Sequence, residues 1–255
     1  MGTKNHDSII HSACFRFYEE LNDFLPENKR KQPFLYKFKG TPSIKDAVEA
    51  IGVPHTEIDL ILIDGISVCF DYLIHGGESI SVYPVFESFD ISEINHLREE
   101  PLRETKFIVD VNLGKLAHKL RFLGFDTLYE NNLDDDIIIE LSLEQQRIIL
   151  TRDKGILKNG KVTHGYYVRS DDPKQQAVEV VKRLQLEDGF KPFSRCSVCN
   201  GELHEVDKSQ IKDLLQPDVL RDYENFLQCS GCRKIYWQGS HYDRICEWIK
   251  VLKNC

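Results

Sequence analysis

The 255-residue sequence predicts an α/β protein in three parts, and three observations carry that prediction. Short alternating strands surround one amphipathic helix in the first 90 or so residues. Strand and helix then alternate from residue 106 to about 190, which specifies a parallel sheet with helices on its faces. Two Cys-x-x-Cys pairs, Cys196/Cys199 and Cys229/Cys232, come last.

The first part spans residues 8–90. Ile9–Tyr18 and Phe34–Phe38 alternate apolar and polar residues as strands do, with a loop at Pro26–Pro33. Ser43 caps a helix whose apolar face is Ile44, Ala47, Val48 and Ile51, and Gly52 stops it. Strands follow at Leu60–Ile63, Ser67–Cys69 and Ile80–Pro84, separated by Asp64-Gly65 and Gly76-Gly77 turns. A ββαβ order in so short a domain indicates a β-grasp fold. Ser43–Val53 followed by Gly76–Pro84 resembles the ubiquitin-like sulfur-carrier proteins. Those carriers end in a free Gly-Gly, whereas here Gly76-Gly77 is internal, so a docking or scaffold role is expected for this domain, with a protein partner.

Residues 91–105 are charged, contain Pro101 and read as a linker. The second domain, 106–190, opens with the buried strand Phe107–Val111 and a helix bearing Leu113, Leu116, Ala117, Leu120 and Leu123, ended by Gly124. Strand Phe125–Tyr129, a helix from Asp135 to Gln146 and strand Arg147–Thr151 follow. A turn at Lys158–Lys161 leads to strand Tyr166–Arg169, and Asp172-Pro173 caps a helix running to Leu186.

The third part, 191–255, holds the cysteine pairs. Each pair turns two thiolates toward one point, and together they supply the four sulfurs of a closed tetrahedral zinc site; two disulfides or four unrelated thiols are the alternatives. A site with all four positions filled marks a structural metal. Ile211–Tyr223 reads as an insertion, Lys234–Gln238 as a strand and Ser240–Lys253 as a helix. Tyr236, Trp237 and His241 either stack on bases or pack the module down, and packing is the plainer account.

Composition narrows the function. Forty-one acidic against 33 basic residues give a net charge of −8, which argues against a generic polyanion binder but does not exclude a nuclease built around acidic metal ligands. No apolar run reaches the roughly 20 residues of a membrane span and the start lacks a signal-peptide core, so a soluble cytoplasmic protein without a membrane partner is expected. Cys14, Cys69, Cys246 and Cys255 show no paired spacing, which suits a reducing compartment.

The chemistry is expected at strand ends. Asp110 ends the first strand of the second domain, Asp153 follows a later one, and Asp134-Asp135-Asp136 opens a helix. Parallel sheets gather their sites at the carboxyl ends of strands, and carboxylates meeting there suit Mg²⁺ or Mn²⁺. The bland alternatives are helix caps for the Asp134–Asp136 run and a turn for Asp153. Lys115, Lys119, Arg121, Arg152, Lys154, Lys158 and Lys161 flank these acids, and Lys115 and Arg152 are best placed to hold phosphates.

Phe107–Ala117, Leu120–Thr127, Ile148–Asp153 and the ribbon ending Tyr236–His241 together resemble the Mut-seven C-terminal RNase family. That resemblance covers nearly the whole chain. It implies a PIN-like nuclease domain with a four-cysteine zinc ribbon, preceded by a ubiquitin-like β-grasp domain. It places Asp110, Asp135 and Asp153 on the family's acidic positions, with Asp171 or Asp172 as a candidate fourth acid. The expected activity is metal-dependent hydrolysis of RNA, single-stranded or transfer RNA, with structural zinc and catalytic Mg²⁺ or Mn²⁺. The competing expectation is a non-catalytic RNA-binding or adaptor protein that recruits a partner through the β-grasp domain.

Overall fold

A computed structural model describes residues 10–84 and 105–253. Most of the expected linker, and Cys255, lie outside the described residues. Residues 10–84 with 153–167 form one compact unit, and 105–152 with 168–253 form the other.

In the first unit β1 (Ile10–Phe17) pairs antiparallel with β2 (Phe34–Lys39). Helix α1 (Ile44–Ile51) starts where the Ser43 hydroxyl accepts the Asp46 amide, and Gly52 ends it at φ 125°, a value that only glycine adopts without strain. Then come β3 (Leu60–Ile63), β4 (Ile66–Ser67) and β5 (Ser79–Tyr83). The sheet order is β2-β1-β5-β3-β4, with β5 parallel to β1 and antiparallel to β3, which is the β-grasp arrangement. Phe15, Phe17, Ile44, Val48, Ile61, Ile80 and Val82 are buried between sheet and helix. Each such side chain contributes roughly 1.5–3 kcal/mol.

The second unit is built on β6 (Lys106–Val109), α2 (Gly114–Phe122), β7 (Asp126–Leu128), α3 (Asp135–Gln145) and β8 (Ile148–Thr151). β6 runs parallel to both β7 and β8 and lies between them. Phe107, Ile108 and Val109 are all buried, as expected for a strand covered on both faces. Gly124 closes the α2 turn at φ 96°.

Past β8 the chain belongs to the first unit for residues 153–167, which form α4 (Lys154–Leu157) and β9 (Gly165–Tyr167). Helix α4 leaves no trace in the sequence pattern, because four residues including Gly155 are too few for a periodic apolar face. Helix α5 (Pro173–Arg183) begins at the Asp172 cap, with proline in its first turn as expected. The metal module comprises β10 (Leu203–Glu205), α6 (Lys208–Ile211), α7 (Pro217–Asp222), β11 (Phe226–Cys229), β12 (Ile235–Trp237) and α8 (Ser240–Lys253). Its sheet runs β10-β11-β12, all antiparallel. β10 and β11 add to the single strand expected here; at three and four residues they are too short to show an alternating pattern beside the knuckles.

Candidate functional site

The ligand atoms of Cys196, Cys199, Cys229 and Cys232 all lie within 4.8 Å of one another, close enough to hold one metal ion. Cys196 and Cys232 Sγ are 3.6 Å apart, Cys199 and Cys229 Sγ 3.4 Å. Those gaps exceed the ~2.05 Å of a disulfide. They approach the edge of a tetrahedron with metal–sulfur bonds of about 2.3 Å. The backbone makes the cradle: the Cys196 amide donates to Gly201 O at 2.7 Å and the Cys229 amide to Lys234 O at 2.9 Å. Asn200 and Arg233 adopt φ of 68° and 63° to close the two turns. A Cβ on Gly201 would sit 2.9 Å from Cys229 Sγ, so the first knuckle needs glycine there. Burial pushes the Cys199 thiol up, but hydrogen bonds led by the Gly201 amide outweigh it and hold the group down at about 6. Cys232 goes the other way, pushed up to about 12 by burial and by its sulfur neighbours, so the four thiols differ in how readily they ionise.

Two long-range ties fix the first knuckle to the parallel sheet. Arg121 on α2 is 2% exposed. Its guanidinium donates to Thr127 O at 2.9 Å, Ser197 O at 3.2 Å and Val198 O at 2.7 Å. Asp126 accepts from Arg147 and from the Asn200 amide group, each at 2.7 Å, while Asn200 Oδ1 accepts the Thr127 amide. This corrects the reading of Arg121 as a surface cation beside the acids: its Nε and Nη1 donors are spent inside the protein. Lys119 likewise lies 4.8 Å over the Trp248 ring, and burial lowers its pKa.

The acids take different environments. Asp110 lies just past β6 and is 4% exposed. Its Oδ2 accepts the Thr151 hydroxyl at 2.7 Å, and among the described residues no cation pairs with it. Asp135 is the first residue of α3 and exposed; Asp134 holds the cap position without a side-chain cap bond. Asp153 is exposed and caps α4, accepting the Gly155 amide at 2.6 Å, so its turn role is real whatever else it does. Asp110 and Asp135 belong to the second unit and Asp153 to the first, and among the described residues the cysteine quartet is the one group of three or more such side chains close enough to share a metal ion. Asp172 caps α5 through the Lys174 and Gln175 amides, the Gln175 bond being foremost in lowering its pKa.

Lys115 is exposed in the first turn of α2. Arg152, also exposed, forms an ion pair with Asp171. On the metal module, a groove of about 1180 Å³ is walled by Tyr223, Tyr236, Trp237, His241, Lys208 and Lys234 among others. Lys208 pairs with Glu224 at 2.6 Å, and Glu205, Asp207 and Glu224 also line it, so the groove has no excess of positive charge. Tyr236 turns its hydroxyl to Cys196 Sγ at 3.1 Å and Ser197 Oγ at 3.2 Å, and the His241 ring lies against Phe122. Packing is the role these contacts support.

A family described as the Mut7-C RNAse domain matches residues 105–249, and one described as Mut7-C ubiquitin matches residues 10–90. The human protein named exonuclease mut-7 homolog is 27% identical over 172 residues, covering 59% of this chain. The chain spans 19% of that relative's length. No solved structure matches.

Proposed function

Since the chain belongs to the Mut7-C RNase family and carries that family's ubiquitin-like domain, we propose that it is a metal-dependent ribonuclease. The observation that carries this reading is Asp110. A carboxylate 4% exposed, held by one neutral hydroxyl at the carboxyl end of a central parallel strand, is costly unless a cation completes it. Asp110, Asp135 and Asp153 are the carboxylates we assign to Mg²⁺ or Mn²⁺. All-oxygen donors suit these hard ions. When bound, such an ion activates water and offsets charge developing on a phosphodiester.

The protein's own part is positional. β6 presents Asp110 beside Thr151, whose hydroxyl orients one carboxylate oxygen and leaves the other for a ligand. Lys115, in the first turn of α2, is placed to meet a phosphate, and Arg152 would exchange Asp171 for one. Asp171 thereby becomes a partner of Arg152 in this reading, and Asp172 a helix cap. The cysteine quartet holds structural zinc, which the sulfur donors and their separations suit. Single-stranded or transfer RNA is the assigned substrate class, and the ubiquitin-like domain is assigned a protein partner.

The test is cleavage of single-stranded RNA and tRNA by the full chain with Mn²⁺. Loss of cleavage in Asp110→Asn supports the reading, and undiminished cleavage sinks the metal assignment. Tight RNA binding without cleavage would favour the adaptor reading instead, for which the exposed Asp135 and the capping Asp153 would be ordinary surface acids.

A further inference from the structure

The first unit contains residues 153–167, and its polar contacts with them are specific. His55 and Glu57 lie on a single 3-10 turn between α1 and β3, and are 5% and 0% exposed. His55 Nε2 is 2.7 Å from Val162 O; a carbonyl only accepts, so Nε2 carries the proton and donates. The other ring nitrogen is 2.5 Å from Glu49 Oε1, which fixes the ring's orientation. Glu57 accepts the Tyr167 amide at 2.6 Å, and Lys45 Nζ donates to Gly160 O at 3.1 Å. The Lys154 ammonium lies 5.0 Å and 5.6 Å over the Phe24 and Tyr167 rings, which themselves meet edge to face at 5.3 Å.

These contacts bear on Asp153. Helix α4 has four residues, far below the roughly 12–15 that hold a helix unaided in water, so its place is set by what it packs on. Ile156 and Leu157 are buried at 3% and 0% exposure, and Asp153 is the cap of that helix. A domain that serves only to dock a foreign partner has no need to commit a buried histidine and a buried glutamate to backbone groups of this segment. Their desolvation is tolerable only with the bonds made.

We infer that the ubiquitin-like domain holds one of the proposed metal-binding acids in place: His55, Glu57 and Lys45 fix the segment 153–167 and with it Asp153. His55 and Glu57 are positioning residues that touch no substrate. The inference rests on the assignment of Asp153 to the metal site made above.

The test compares the full zinc-loaded chain with His55→Ala/Glu57→Ala and with Glu57→Gln, whose amide oxygen still accepts the Tyr167 amide. Hydrogen exchange is read at residues 154–167, and kcat and KM on single-stranded RNA with Mn²⁺. The double variant should exchange this segment at least about tenfold faster, since it loses two bonds to the segment, one of them charge-assisted. Its kcat should fall about tenfold to a hundredfold with KM within about twofold, as expected for a misplaced catalytic group. Glu57→Gln should recover both. Unchanged exchange overturns the inference, and so does faster exchange with unchanged kcat. If the double variant does not fold, Glu57→Ala and Lys45→Met carry the same readouts. Failure of the ribonuclease reading looks different: the wild-type chain then cleaves no RNA, while exchange alone still reports whether the segment is held.

Discussion

The Asp110 carboxylate accepts the Thr151 hydroxyl at 2.7 Å, joining the residue after β6 to the last residue of β8. Val109 pairs with Leu150 in that register, so the two side chains meet at neighbouring strand ends. Asp110→Asn removes a buried charge with no cationic partner among the described residues, and is expected to raise the thermal midpoint. The same change should lower RNA cleavage by about 10²–10³-fold, the scale of losing one preorganised charge contact. Thr151→Val should instead cost ~1–3 kcal/mol, because the carboxylate loses its hydroxyl partner. Mn²⁺ should raise the wild-type midpoint and leave Asp110→Asn unmoved. Equal shifts in both would separate Mn²⁺ binding from Asp110.

Zinc retention should discriminate between two glycines. A Cβ at Gly201 would lie 2.9 Å from Cys229 Sγ and 3.3 Å from the Gly231 amide nitrogen. At Gly231 the nearest atom, Cys199 Sγ, is 3.5 Å away, an ordinary contact. Gly201→Ala is therefore expected to release zinc to a chelator at least about tenfold more readily, one weakened ligand being worth ~1.4 kcal/mol or more. Gly231→Ala should stay near wild type. Competition with a chromophoric chelator measures both, and Cys229→Ser sets the zero.

Acid should loosen the anchor of the first knuckle. Burial pushes Asp126 up, but bonds from Arg147 and Asn200 and the charges of Arg147 and Arg195 more than offset it, leaving its pKa below the ordinary 3.8. A depressed folded-state pKa means the stabilisation is present in full above the unfolded value. It is lost as pH falls below about 4 through the folded value. Asp126→Asn should cost about 1–3 kcal/mol at pH 7. Its disadvantage should shrink as pH falls from about 4 to about 3. Urea midpoints at neutral pH and at those two acidic values would show it. A gap independent of pH would refute the linkage.

Gly114 starts α2 with an ordinary helical φ, so contact rather than conformation requires it. A Cβ there would fall 2.5 Å from the Tyr129 hydroxyl oxygen, and that hydroxyl donates to Val111 O at 3.2 Å. Gly114→Ala is expected to destabilise by about 1–3 kcal/mol through overpacking. In Tyr129→Ala the added penalty should vanish, giving a coupling of similar size in a double-mutant cycle. Additive losses would mean that Tyr129 is not the obstacle.

The sequence by itself determined the features that depend on near neighbours. The Cys196/Cys199 and Cys229/Cys232 knuckles, the Ser43 and Asp172 caps, and Asp110 at a strand end are all legible there, since each is a matter of spacing within a few residues. So is the β-grasp order, because period-2 runs and one amphipathic helix leave few alternatives. Arg121 reads locally as a surface cation and is in fact a buried tie, because its partners at Ser197 and Val198 lie 76 and 77 residues on. Only the tertiary structure decided that residues 153–167 answer to His55 and Glu57, through contacts joining positions 107 and 110 apart in the chain. A side chain's local pattern records which face it occupies. Which buried donor or acceptor it must satisfy is settled by packing across the chain, where an unpaired polar group costs too much to persist.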